Sequence, residues 1–357
     1  MILKLFLFWR ANLLLLTYIG SLIFPKVANG GIGAIGPNKE FDFWASWAQW
    51  DGGHFVNIAN FGYFAQQEYA FFPLFPFLIK TASFLLFGNT ILAGLLIANI
   101  SFFLFLIFFY KLAYKKFGKK TAVLSLVTLL TFPTAFFAGG VYSESIFLLL
   151  AVLTLYWLEN KKVLVAASFA ALASFTRFIA IFLIIPVAYS YFQMFKLNNS
   201  LRVLLIPFSV SGFLIYSSYL YFKFQDPLYF LTVETSWHRK FTNPMITVFS
   251  YLTDNPHKPF NDYLDVSVTI GFLLLLAFGA KKIPRSWWLF SLLAIIIPAA
   301  SGTLTSMPRY ALAAFPVFMI MGDYLKRSPI LRNLIWIIFL FLQIVLSIMF
   351  VNGHWTA

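Results

Sequence analysis

Asp51 sits where a carboxylate is well placed for chemistry. Trp47 and Trp50 precede it, Gly52-Gly53 follow it, and His54 comes three residues later. Transfer of a sugar needs a base that takes the proton from a hydroxyl as that hydroxyl attacks the anomeric carbon. It also needs aromatic faces against the C–H surfaces of the sugar, which Trp47 or Trp50 would supply. The plain alternative is a helix-capping or solvated loop acid. On a helical turn His54 would face Asp51 and orient or tune it, although a lone histidine also serves as a structural hydrogen-bonder. With Glu40, the stretch 41–76 around this centre holds four of the chain's twelve acids: Glu40, Asp42, Asp51 and Glu68.

Further candidates lie along the chain. Asp42 and Glu40 are two residues apart and would bind a metal, position an acceptor, replace Asp51 as the base, or simply carry loop charge. Glu144 follows Gly139-Gly140 and Tyr142-Ser143 and opens an apolar run, where an unpartnered acid is costly. It reads as an acid at a helix N-terminus or as the partner of an arginine. Arg177 and Arg309 stand in apolar surroundings, and a guanidinium is suited to clamp a phosphate; snorkelling to ordinary headgroups is the simpler account. Asp226, Trp237, His238 and Arg239 form a polar group that would complete a donor or acceptor surface, or merely decorate one.

The elements that must hold these residues are hydrophobic. Of 357 residues 61% are hydrophobic and 11% charged, with a mean hydropathy of +0.83; soluble domains carry about 25% charged residues. Continuous apolar runs of about 20 residues match the length of a membrane-crossing helix, and they lack the alternation of a barrel strand. An all-α integral membrane protein follows. The net charge of +14 is spread in short clusters at span ends, not in a basic domain, so no nucleic-acid partner is expected. The absence of cysteine excludes disulfides, thiol catalysis and cysteine metal sites. No small-residue cleavage site follows the first apolar run, which reads as an anchor.

Spans are expected at roughly 5–25, 89–110, 121–138, 143–158, 163–176, 178–195, 203–222, 263–280, 286–301, 310–325 and 333–350. Lys4 and Arg10 place the N-terminus inside. The five lysines 111, 115, 116, 119 and 120 place their loop inside as well, so only one crossing fits between them and the first outer loop. Residues 71–87, interrupted by Pro73, Pro76 and Lys80, are therefore read as a helix in the outer interface. The result is a single polytopic domain over 1–357 with about eleven transmembrane helices, outer loops at about 26–88 and 223–262, and the C-terminus outside. Seventeen of the 26 basic residues then lie inside. No internal repeat is visible.

The residues Gln49-Trp50-Asp51-Gly52-Gly53-His54-Phe55, Gly62-Tyr63 and Ala70-Phe71-Phe72-Pro73-Leu74-Phe75-Pro76 resemble the signature of the PIG-V-type mannosyltransferases, in the GT-C superfamily of membrane glycosyltransferases. Tyr142–Phe147, Thr176-Arg177-Phe178, Gln225–Leu228 with Trp237 downstream, and Pro308-Arg309-Tyr310 extend the match in order and spacing, although each is weak alone. The resemblance implies a GT-C-like bundle, with interfacial helices in the first outer loop and an active site on the outer face of the cell membrane. It also implies an inverting transfer of a hexose, typically mannose, from a polyprenyl-phosphate sugar, with the acidic candidate of the first loop matching Asp51. The eukaryotic members act on the glycolipid anchor precursor. This compact, short-looped chain reads as a prokaryotic member, so its acceptor is expected only as a lipid-linked or cell-surface glycan.

On that footing Asp51 is the expected general base, with Asp42 as alternative or support and His54 orienting. Arg177 and Arg309 would bind the donor phosphate, and Trp47, Trp50, Tyr63, Glu144 and Trp237 would contact sugar or acceptor. Membrane lipids are the remaining partners. Direct inversion with a monophosphate donor requires no cofactor or metal, and the sequence leaves a divalent ion open. No Rossmann or P-loop fingerprint stands in a strand-to-helix context. Two other readings share these features: a lipid-glycan transporter or flippase, which predicts ionisable residues at mid-membrane, and a glycan polymerase or ligase using a diphosphate-linked donor.

Overall fold

A computed structural model of the chain describes residues 1–27, 42–194, 202–253 and 259–356; Glu40 lies outside them. The described residues form helices and turns, with no strand among them. In order the helices are α1 (Ile2–Ile23), α2 (Asp51–Phe61), α3 (Leu74–Ser83), α4 (Thr90–Thr131), α5 (Glu144–Glu159), α6 (Val163–Ser174), α7 (Ile184–Met194), α8 (Leu205–Phe208), α9 (Ser211–Phe224), α10 (Tyr229–Glu234), α11 (Pro244–Thr253), α12 (Phe260–Gly279), α13 (Arg285–Ala299), α14 (Met307–Ala311), α15 (Pro316–Leu325) and α16 (Pro329–Val351). Short 3-10 segments connect them.

Among the described residues, α1, α4, α12 and α16 are long and apolar enough to cross a bilayer, and the pair Arg202–Phe208 and Ser211–Phe224, bent by 54°, makes a fifth if it is one span. The chain is a multi-pass membrane protein. Several other apolar helices begin and end close to expected spans but have 10–17 residues, because proline, 3-10 turns and polar corners cut them short. The helix expected at 71–87 starts later, at Leu74, and with the 3-10 turn Phe84–Leu86 reaches only Leu86. The two spans expected at 89–110 and 121–138 join as α4, broken at Gly118 (φ 80°, ψ 174°) inside the lysine cluster.

The chain divides into two compact units. The first comprises residues 1–68, 75–146 and 321–357. Its core is α1, α4 and α16. The end of α4, before Pro133, leaves carbonyls without helical partners, and Gln343 of α16 donates to two of them, Leu130 O at 3.0 Å and Phe132 O at 2.7 Å. Trp336, also on α16, donates to the Thr128 hydroxyl at 3.0 Å. These polar side chains in an apolar helix serve as interhelical links.

The second unit comprises residues 69–74 and 147–320. Phe72, Phe178, Phe213 and Phe230 pack ring on ring within it. The motif residue Leu74 donates its N–H to Phe175 O at 3.0 Å. Tyr216 donates its hydroxyl to Tyr69 O at 2.7 Å. Helices α6 and α9 touch at Gly212, where an added Cβ would meet Ala171 O at 2.4 Å and the Phe175 backbone N at 2.8 Å. Backbone atoms cannot swing aside as a side chain can. Gly212→Ala is therefore expected to separate the two helices and destabilise the protein by about 1–3 kcal/mol. A lower midpoint of thermal aggregation in detergent would show it; an unchanged midpoint would refute it.

Candidate active site

The loop that carries Asp51 is built by backbone pairing within the first unit. A 3-10 turn, Ala45–Ala48, is capped by Asp42, whose Oδ1 accepts from the N–H groups of Trp44 at 2.8 Å and Ala45 at 2.9 Å. Trp47 is fully buried, and its carbonyl accepts from Val141 N–H at 2.9 Å. Tyr142 donates its hydroxyl to Gln49 O at 2.8 Å. The two segments approach so closely that a Cβ on Gly140 would meet Trp47 O at 3.0 Å, and one on Gly52 would meet Val141 O at 3.1 Å. A side chain at either place would press on a backbone oxygen.

Asp51 opens α2, where a carboxylate suits the positive end of the helix. Gly52 N–H donates to Gln49 O at 3.0 Å and closes a tight turn. Trp50 occupies its second position at φ 54°, ψ −121°, the type II′ geometry that favours glycine. The Trp50 indole N–H donates to His354 O at 3.3 Å, and its ring meets Trp355 edge-on at 4.9 Å. Asp51 is half-buried, while His54 on the same helix is buried. Burial lowers the His54 pKa, and Asp51 and Glu68 partly oppose this as nearby carboxylates.

The remaining first-unit candidates sit around this loop. Glu144 is buried and is the first residue of α5, just beyond the segment that pairs with Trp47. Ser145 beside it donates to Ala138 O at 2.6 Å. Glu68 accepts at Oε2 from the N–H groups of Phe64 at 2.7 Å and Ala65 at 2.9 Å, so it staples the turn after α2. Tyr63 lies half-buried in that turn. Arg10, on α1, holds its guanidinium 4.5 Å from the centre of the Trp47 ring.

In the second unit three arginines gather around Tyr310. The guanidinium carbons of Arg177, Arg239 and Arg309 lie 5.6, 5.3 and 5.2 Å from its ring centre. Arg239 donates to the Tyr310 hydroxyl at 3.2 Å, to Ser301 Oγ at 3.2 Å and to Thr305 O at 3.1 Å. Arg309 is buried and reaches the Tyr310 hydroxyl at 3.5 Å. Buried Asp265 of α12 accepts from the Met307 backbone and senses the Arg239 charge. Trp237 is exposed and lies edge-on to Phe71 at 6.3 Å. Arg177 and Arg309, singled out in the sequence, thus share one tyrosine. Arg239 read there only as part of a polar group, and Asp265 was overlooked although an acid inside an apolar run is itself a signal. Among the described residues no group of three His, Asp or Glu side chains is placed to hold a metal ion.

A family model described as Mannosyltransferase (PIG-V) matches residues 1–255, including the whole of the Asp51 loop and Arg177. The chain belongs to the PIG-V mannosyltransferase family. The fold is also similar to the crystal structure of ArnT from Cupriavidus metallidurans bound to undecaprenyl phosphate, with a TM-score of 0.54, 13% identity and 90% of this chain covered. The chain spans 60% of the length of that protein. No curated protein sequence matches it. The PIG-V assignment and the GT-C-like fold agree with what the motifs imply.

Two measurements follow from this geometry. Asp42→Asn keeps the Oδ1 acceptor and is expected to retain activity, whereas Asp42→Ala should lose the cap at a cost of about 1 kcal/mol in stability; an inactive, well-folded Asp42→Asn would instead make Asp42 chemical. For His54, burial favours the neutral ring. Its contribution to stability is full above pH 6.5, the ordinary value, and is lost as pH falls from there towards the lowered folded value. Thermal inactivation should therefore accelerate as pH falls below 6.5, and His54→Gln should flatten that dependence.

Proposed function

We propose that this PIG-V family enzyme inverts the anomeric centre as it moves mannose from a polyprenyl-phosphate sugar to a lipid-linked or cell-surface glycan on the outer face of the cell membrane. The observation that carries the donor assignment is the gathering of Arg177, Arg239 and Arg309 around Tyr310, which suits a phosphate. ArnT, whose fold this chain shares, binds undecaprenyl phosphate, which supports a polyprenyl carrier. A lipid-borne donor also accounts for a catalytic protein made almost wholly of apolar helices.

Asp51 is the general base. It takes the proton of the acceptor hydroxyl while that oxygen forms its bond to the anomeric carbon; the bond from that carbon to the phosphate oxygen breaks, and polyprenyl phosphate leaves with the electron pair. The arginines stabilise the negative charge on the departing phosphate. His54, close in sequence on α2 and kept neutral by burial, orients the acid. Trp50, Tyr63 and Trp237 have surface to offer a sugar or acceptor. Trp47, being buried, supports the loop from beneath, and Glu144 holds the adjoining helix end. No step is routed through a metal.

The test is transfer of radiolabelled mannose from polyprenyl-phosphate mannose in membranes carrying the wild type, Asp51→Asn or Arg309→Lys, with native lipid extract as acceptor. Asp51→Asn should lose activity by about 100-fold or more with normal insertion, and Arg309→Lys should lose transfer because lysine lacks the planar fork. Full activity of Asp51→Asn would remove the base assignment. Transfer only from a diphosphate-linked donor would replace the monophosphate donor with a ligase-type one.

A further inference from the structure

The turn that carries Asp51 is held in an unfavourable shape. Trp50 at φ 54°, ψ −121° occupies a region that suits glycine, and a bulky residue there is unfavourable unless its surroundings hold it. The Trp50 backbone is continuous with the first residue of α2, so relaxation of Trp50 would re-aim Asp51. What grips its side chain is a short segment more than 300 residues away in sequence. The Trp50 indole N–H donates to His354 O at 3.3 Å, and the Trp355 ring stands edge-on to it at 4.9 Å and 79°.

That segment is itself anchored. Val27 N–H donates to Asn352 O at 3.0 Å, and His354 Nε2 pairs with Pro25 O at 2.9 Å, tying it to the end of α1. Asn352 donates its side-chain amide to Ile348 O at 2.9 Å, and Thr356 is buried. The family match ends at residue 255, so this segment lies outside the matched region.

We propose that residues 352–356 are a positioning element for catalysis: by clamping the Trp50 indole they hold the strained turn and fix the aim of Asp51. Trp355 and His354 touch Trp50 and act on the reaction through it. The inference rests on Asp51 being the base, as proposed above.

The experiment uses the full-length enzyme. Hydrogen exchange over residues 47–56 and mannosyl transfer are measured for the wild type, Trp355→Ala, Trp355→Phe, Trp50→Gly and the double variant Trp50→Gly/Trp355→Ala, with Asp51→Asn alongside. Trp355→Ala should speed exchange of the Gly52 and Gly53 amides. It should lower kcat about 3- to 10-fold, the size of one aromatic edge contact, with the donor KM unchanged. Trp355→Phe keeps an edge contact and should restore most of kcat. With glycine at position 50 there is no indole to clamp, so adding Trp355→Ala should cause no further loss.

Unaltered exchange and kcat in Trp355→Ala would overturn the proposal. So would a loss that persists in full in the Trp50→Gly background, or a loss confined to KM. An active Asp51→Asn would overturn the base assignment instead, and the exchange data would still decide whether the segment holds the turn.

Discussion

Irregular backbone set among apolar helices has to find its hydrogen-bond partners inside the protein. In the first unit the segment around Trp47–Gly52 finds them in the segment Gly140–Tyr142, through Val141 N–H to Trp47 O and the Tyr142 hydroxyl to Gln49 O. Everything placed near Asp51 depends on that pairing. Glycine at 52 and 140 eases it, because a Cβ at either would press on a carbonyl oxygen. Two helices start beside it, α2 at Asp51 and α5 at Glu144. Each therefore presents an acid at its positive end, and the two acids are fixed by one constraint. Beneath it, Trp47 is buried with the Arg10 guanidinium over its ring. A cation in an apolar helix is tolerable there because the ring face attracts it.

The second unit solves a different electrostatic problem. Guanidinium groups repel one another, yet three of them share Tyr310. The negative face of the ring offsets part of that repulsion, and Ser301, Thr305 O and the Tyr310 hydroxyl fix Arg239. For the phosphate leaving group proposed above, charge of this kind is an advantage, because it does not have to reorganise as the negative charge develops.

The all-helical membrane class was legible from apolar run length and charge, since both reflect the solvent the helices face. The Asp51 loop, the arginine pair and the family were legible from short motifs, since glycine, tryptophan and arginine are each confined to positions that use their particular chemistry. The roles of single acids were not. Asp42 reads in sequence as an alternative to Asp51, and its Oδ1 accepts from two backbone N–H groups. That pairing depends on local turn geometry, which periodicity does not encode. The Arg10 contact was hidden for a related reason: its partner, Trp47, comes from a distant loop. The grip of residues 352–356 on Trp50 spans some 300 positions, and no spacing rule reaches so far.

Tryptophan at position 50 is at first sight the wrong residue, because glycine would take the same backbone shape without strain. Glycine would also allow many other shapes. The base proposed above would have to stay within a narrow range of the hydroxyl it serves, since small misplacement is costly to the rate. The indole supplies what glycine lacks: a hydrogen-bond donor for His354 O and a ring for the edge of Trp355. Strain and grip are thus two aspects of one choice, since the side chain that makes the turn unfavourable is also the handle by which the fold holds it.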